Sequence, residues 1–337
     1  MDYLFIDFET YSGIDIKKAG AYRYTESDDF AILLCGYMFN SETEVTILDL
    51  TTNNGRIAFM QLFKKVAGDE NITIVAHNAA FERICLREYG FNISPLRFMC
   101  TANLSLYCGL PASLDGVSKA LDLKDKKLGT GKDLIKYFSV PCKPTKTNGG
   151  RTRNMPEHAP EKWLDFMEYL KYDVLSAKEI FAKLYPLGFP DYERYVYAAD
   201  QKINDYGILV DTDLMRSAIL MDEAFKAELS NEVRRNQGIN NLKSMPELKK
   251  YILDKTGLTV ESLNKKSMDD VIAAIENSDS VSDEDKRDVL TVLDARKEIG
   301  KTSNAKYTAM QNSLGRGDRI RGLFRYYGAS RTGRWAG

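Results

Sequence analysis

The sequence predicts an α/β domain built on a mixed sheet, followed by a mostly α-helical region. Three observations carry that expectation. Residues 3–9 (YLFIDFE), 30–39 (FAILLCGYMF), 44–50 (EVTILDL) and 72–76 (ITIVA) are short apolar runs bounded by turn formers, the pattern of strands. Residues 56–67 and 161–184 place apolar side chains at helical spacing. From residue 191 onward helical spacing dominates. The order strand, strand, strand, helix, strand, helix, closed by a long helix, is that of a sheet with helices packed on it.

The elements follow in order. Asn40 and Ser41 supply a turn between the second and third strands. The ITIVA strand runs into Asn78 and a helix that stops near Gly90. Residues 141–160 hold four of the nine prolines and two adjacent glycines, and read as an exposed, mobile loop. After Pro186 and Pro190 the character changes. Residues 191–235 are helical with a break at Tyr206-Gly207, and 246–312 continue as helices separated by polar turns. The expected division is therefore 1–188 and 189–337.

Composition excludes several classes. Lys and Arg number 47 against 48 Asp and Glu in 337 residues, so the chain is neither an acidic disordered tail nor a uniformly basic nucleic-acid coat. No apolar run approaches the roughly 20 residues of a membrane span. The start lacks the features of a signal peptide, and the five cysteines include no C-x-x-C pair, which points to a reducing cytoplasm. With only two histidines, His77 and His158, a metal centre would draw on carboxylates, and these favour Mg²⁺ or Mn²⁺.

The near-neutral balance hides a basic end. Residues 291–337 carry ten Lys/Arg against three Asp/Glu, interleaved with Tyr307, Phe324, Tyr326, Tyr327 and Trp335. Such a mixture suits a nucleic-acid backbone with neighbouring base or sugar contacts. A solvated basic surface over an aromatic core would give the same composition.

Three carboxylate motifs stand out. In Asp7-Phe8-Glu9-Thr10 the two acids share one strand face, while Ile6 and Phe8 point to the other, where Phe8 is expected in the core. Two like charges so close repel unless a cation lies between them, although a polar strand face in water is the simpler alternative. In Asn78-Ala79-Ala80-Phe81-Glu82 a helix start with Asn78 as N-cap explains the asparagine. It does not explain Glu82, since a capping-box acid would stand where Phe81 does. In Tyr169-Leu170-Lys171-Tyr172-Asp173, Tyr169 and Asp173 are neighbours on one helix face. Phe166, Leu170, Ala177 and Ile180 surround Asp173 at helical spacing, so its carboxylate must be paired, protonated, metal-bound or swung out to solvent. Lys171 lies about 160° round the helix and is a poor partner.

The combination and order of these motifs resemble the DEDDy 3′→5′ exonucleases, which have a ribonuclease-H-like fold. The resemblance extends to phage-type family A DNA polymerases. Residues 109–138 resemble the segment between the second and third exonuclease motifs, and 201–214 (QKINDYGILVDTDL) the entry to the polymerase part. Residues 294–337, with KEIGKTSNAKYTAM and GASRTGRWAG, resemble the thumb and the approach to the palm. Glu82 stands where that family most often has Asp.

The resemblance implies a two-metal exonuclease with two Mg²⁺ or Mn²⁺ ions per site. Asp7, Glu9 and Asp173 would bind one ion, and Asp7 with Glu82, acting through water, the second. Such ions, about 4 Å apart, activate a water and stabilise the leaving 3′ oxygen. Tyr169 would orient the water and Asn78 contact the strand near its 3′ end. His77 is expected to be structural, and His158 has no assigned role. Lys301, Lys306, Arg319, Arg321, Arg331 and Arg334 would contact phosphates of a single-stranded DNA 3′ end or a primer-template duplex. The palm and fingers would lie beyond Gly337, so this part alone is not expected to polymerise, and residues 315–337 are expected to be loosely held without them. A separate chain with palm and fingers is a possible partner. The alternatives are a non-catalytic DNA-binding subunit of a split polymerase and a ribonuclease of the same fold.

Overall fold

The computed structural model describes residues 2–123, 131–330 and 332–337. In chain order the first part contains β1 (Asp2–Tyr11), α1 (Ile16–Thr25), β2 (Ala31–Phe39), β3 (Thr46–Asp49), α2 (Asn53–Gly68), β4 (Ile72–Ala76), α3 (Ala80–Glu88) and β5 (Phe98–Cys100). It continues with α4 (Thr101–Tyr107), α5 (Leu114–Ala120), α6 (Gly131–Phe138), α7 (Pro160–Leu184), α8 (Asp191–Tyr206) and β6 (Ile208–Leu209). Then come α9 (Thr212–Gln237), α10 (Met245–Thr256), α11 (Lys265–Glu276), α12 (Asp283–Ile299) and α13 (Ala305–Ser313). Four short strands close the chain: β7 (Leu314–Gly315), β8 (Arg319–Ile320), β9 (Arg325–Ala329) and β10 (Arg334–Ala336).

The principal sheet has the order β3-β2-β1-β4-β5. β3, β2 and β1 are antiparallel neighbours, and β4 and β5 run parallel to β1. The sheet is mixed, as the order of elements predicts, and β1 occupies its middle. Both faces of β1 are covered. Leu4, Ile6 and Phe8 enter one core with Phe59, Phe63 and Val66 of α2. Phe5 and Tyr11 point to the other face, where α7 lies. Alternation along the strand thus sends Phe8 into the core and leaves Asp7 and Glu9 facing the long helix.

Contacts divide the chain into two compact units: Met1–Val210 with Asn312–Gly337, and Asp211–Gln311. The sequence places a division near residue 188. In the structure α8 belongs with the sheet-bearing unit, because its buried polar residues are partners for that unit and for the tail. Asn204 exchanges two hydrogen bonds with the Phe324 backbone, at 2.8 and 2.9 Å. The Tyr326 hydroxyl donates to Glu193, and the Trp335 indole donates to Asp200 at 2.7 Å. The tail is therefore packed rather than loosely held: Ile320 and Tyr326 are buried, and β8 pairs with both β6 and β7.

The second unit comprises α9–α12 and most of α13. Leu248, Ile252, Val289, Val292 and Leu293 form its centre and are fully buried. Its helix starts follow local chemistry, with Asp211, Ser244, Asn264 and Ser282 each accepting a backbone N–H of the first turn. No helix among the described residues is long and apolar enough to cross a membrane. All five cysteines are free.

Candidate metal centre

β1 and α7 place the acids. On the α7 side of the sheet, Tyr11, Leu33, Leu34, Trp163, Phe166, Tyr169 and Leu170 form one apolar cluster, and Phe5, Met38, Val75, Val174, Ile180 and Phe181 form another. Asp7 and Glu9 fall between Phe5 and Tyr11 along the strand. Asp173 falls between Leu170 and Val174 along the helix. All three acids therefore meet at the seam between the two clusters.

The helix must come close to the sheet for this to happen. Asp7 stands opposite Gly36 in the β1–β2 register. A methyl group on Gly36 would lie 3.0 Å from both Leu170 Cγ and Val174 Cγ2. That is tighter than ordinary carbon contact, so the bare glycine lets α7 settle at the height of the acids. One carboxylate oxygen from each of Asp7, Glu9 and Asp173 lies within 4.8 Å of the others. Glu9 and Asp173 are buried, and Asp7 is half-buried. Three carboxylates this close and largely buried repel one another, and a hard divalent cation relieves that repulsion. The donor set is all oxygen, which fits Mg²⁺ or Mn²⁺.

Tyr169 sits beside them, 2% exposed, and its hydroxyl donates to Asp173. Burial, and then the negative charges of Asp173 and Glu9, push its phenol far above the ordinary tyrosine range. It remains a neutral hydroxyl at any working pH.

Glu82 is not in the three-acid group. It lies buried on α3, its Oε2 has no hydrogen-bond partner, and burial pushes its pKa up to about 8. Asn78 is not the N-cap of α3. The helix starts after Ala79 without a side-chain cap, and Asn78 adopts a left-handed conformation (φ 72°), which asparagine tolerates better than most residues. Its backbone carbonyl accepts the Phe81 N–H at 2.9 Å. The exposed Asn78 side chain lines a cleft of about 290 Å³ with Phe81, Asn103, Phe324 and Tyr326.

Both ring nitrogens of His77 are engaged, with Thr101 Oγ1 and the Ala112 carbonyl, each at 2.9 Å. His158 Nδ1 accepts the Met155 N–H at 2.8 Å. The loop 141–160 is anchored: Asn154 is buried and donates to the Tyr137 carbonyl at 2.9 Å, and the Arg153 guanidinium covers the Tyr11 ring at 3.8 Å.

The basic candidates divide by surroundings. Lys301 and Lys306 belong to the second unit, where Lys301 pairs with Glu298 at 2.5 Å and Lys306 lies over the Tyr307 ring at 5.2 Å. In the first unit, Arg319 stacks on Tyr206 at 4.2 Å and donates to the Gly207 carbonyl at 3.1 Å. Arg321 donates to the carbonyls of Asp205 and Arg316, both at 2.9 Å. Arg334 is exposed on β10. Arg331 lies outside the described residues. Tyr326, one of the interleaved aromatics, is buried rather than available for stacking.

Sequence reasoning misses two features. Arg83 is buried on α3 and forms a two-pronged pair with Asp205 at 2.7 and 2.8 Å, while Arg87 reaches the same carboxylate at 2.8 Å. Gly131 lies against the Tyr169 ring. Neither has a local signal, because each depends on a partner distant in sequence.

No family model matches the chain. Along its whole length it is similar to a DNA polymerase of Bacillus phage SP02, with 43% identity over 341 residues. The chain spans about half the length of that relative, 50% of it. Among solved structures it is similar to the POL domain of Pol1 from M. smegmatis in complex with DNA primer-template and dNTP. That likeness is at TM-score 0.47 and 15% identity, covering 99% of this chain and 50% of that one.

Proposed function

We propose that this chain, related along its whole length to a phage DNA polymerase, is the exonuclease-bearing part of a family A enzyme. Residues around the principal sheet would form a ribonuclease-H-like DEDDy 3′→5′ exonuclease, and α9–α13 a thumb-like region that holds DNA. The observation that carries the reading is the convergence of Asp7, Glu9 and Asp173 within 4.8 Å, with the Tyr169 hydroxyl on Asp173.

The residues fit a divalent ion. Asp7, Glu9 and Asp173 would hold Mg²⁺ or Mn²⁺, and Glu82, whose buried Oε2 lacks a hydrogen-bond partner, would reach a second ion through water. When bound, such ions supply Lewis-acid activation of water and neutralise charge on the phosphodiester. The protein residues do the rest. The Tyr169 hydroxyl, held on Asp173, would orient the attacking water. Being neutral, it aligns the water and does not remove a proton. Asn78, which lines a cleft of about 290 Å³, would hydrogen-bond the strand near its 3′ end. Lys301, Lys306, Arg334 and Arg331 would contact phosphates.

Glu82 supports a second reading. Its place outside the three-acid group favours a part that holds DNA without cleaving it, working with a separate polymerase chain. One experiment separates the two. Purified protein is given 5′-labelled single-stranded DNA with Mg²⁺ or Mn²⁺, with EDTA, Asp7→Ala and Asp173→Ala as controls. A metal-dependent ladder shortening from the 3′ end, lost in both variants, supports the exonuclease. DNA binding with no ladder in either metal supports the holding role.

A further inference from the structure

Gly131 opens α6 beside the catalytic tyrosine of the proposed exonuclease. A methyl group at its Cα would lie 2.1 Å from Tyr169 Cε2, 2.7 Å from Cδ2 and 2.8 Å from Cζ. Carbon atoms in ordinary contact stand about 3.5–4.0 Å apart. The bare backbone of residue 131 therefore rests directly on the ring edge that leads to the hydroxyl. Gly131 lies in the helix α6, a conformation any residue adopts, so its backbone does not require glycine. The requirement is one of space.

The same helix also bears on Tyr169 from its far end. Phe138, the last residue of α6, stacks on Phe166 at 5.4 Å and 18°, and Phe166 lies parallel to the Tyr169 ring at 6.4 Å and 17°. Phe138, Phe166 and Tyr169 are all fully buried. The tyrosine ring is thus held between Gly131 on one side and the Phe166–Phe138 stack on the other.

We infer that Gly131 is a positioning residue for the hydrolysis: its lack of a side chain lets α6 bear on the Tyr169 ring and hold the hydroxyl on Asp173, beside Asp7 and Glu9. The inference rests on the exonuclease reading above. Gly131 touches neither the acids nor the substrate in this scheme. It acts only through the place of one phenol oxygen.

The test is a double-mutant cycle on the full chain, with Gly131→Ala, Tyr169→Phe and the two combined. Hydrolysis of labelled single-stranded DNA is measured for kcat and KM. Affinity for Mn²⁺ alone is measured without DNA by electron paramagnetic resonance. Gly131→Ala is expected to lower kcat by up to about 10²-fold, the scale of an ångström-level misplacement. KM and the Mn²⁺ affinity should change by no more than about threefold, since the acids do not move. In the Tyr169→Phe background, Gly131→Ala should add less than about twofold, because the hydroxyl it displaces is already gone. If Gly131→Ala does not fold, Phe138→Leu, which slackens the same helix without a clash, is judged by the same criteria. Multiplicative losses in the double variant, or a matching loss of Mn²⁺ affinity, would overturn the inference while leaving the exonuclease intact. An inactive wild-type protein would overturn the exonuclease reading, and this inference with it.

Discussion

Trp335, on the last strand, donates its indole N–H to Asp200 Oδ1 on α8 at 2.7 Å. The same carboxylate accepts from Gln201 at 2.9 Å and Asn204 at 3.2 Å, and Asn204 in turn binds the Phe324 backbone. One buried acid thus gathers the tail onto α8. Trp335→Ala should release β9 and β10 while sparing the principal sheet. Limited proteolysis followed by mass spectrometry is expected to show new cuts within residues 322–337 and none in β1–β5. An unchanged cutting pattern would count against the tie.

Asp205 is the acceptor for both Arg83 and Arg87 and takes the Tyr22 hydroxyl at 2.8 Å. Arg83 is 6% exposed in its side chain and Asp205 26%. Removing the acid strands a buried guanidinium, so Asp205→Ala is expected to cost about 3 kcal/mol. Urea denaturation measures this. A loss below about 1 kcal/mol, the scale of a surface pair, would mean that water reaches Arg83.

Glu82 predicts an inverted pH response. Its carboxyl is raised from the ordinary 4.5 to about 8, so between those values the native state keeps a proton that the unfolded chain has lost. Stability must therefore fall as pH rises through that window and level off above it. Glu82→Gln removes the effect. In EDTA, the melting temperature of the variant should gain on the wild type from pH 5 to pH 8, and Mn²⁺ should restore the wild type at the upper end. Parallel pH profiles for the two proteins would show that Glu82 ionises freely.

The basic residues should separate in a salt titration. Lys306→Ala and Arg334→Ala each remove an exposed cation, and each is expected to lower the slope of log K against log salt for DNA by about 0.7–0.9. Arg319→Ala and Arg321→Ala remove side chains bonded to backbone carbonyls. Their expected signature is a loss of thermal stability with a smaller change in slope. Equal slopes for all four variants would contradict this division.

The acids were legible in the sequence because their directions are local properties. A two-residue period puts Asp7 and Glu9 on one strand face and Phe8 on the other, and a helical period puts Tyr169 and Asp173 on one stripe. What brings strand and helix together was not legible. Gly36 and Gly131 reveal themselves only through side chains that approach from elsewhere. The tail shows the same limit more strongly. Tyr326 and Trp335 find their acceptors 133 and 135 residues earlier, on α8, and no local pattern announces such a pairing. Charge density likewise carries no information about which cation also bonds backbone carbonyls, as Arg321 does. Asn78 suggested a cap by residue type, yet its left-handed backbone turns the chain before the helix begins.

The pairing of β6 with β8 has a consequence for how the chain is made. Val210 donates to the Asp318 carbonyl at 2.9 Å, and Leu209 faces Arg319 across the strands. The two sides of this junction leave the ribosome on the order of ten seconds apart at ordinary synthesis rates. The five-stranded sheet and α7 are complete by Leu184, so the seam of acids can assemble on the nascent chain. Asp205 is in place soon afterwards, but Asp200 and Asn204 must wait for the tail. During that interval the buried polar face of α8 lacks the partners that the tail later supplies.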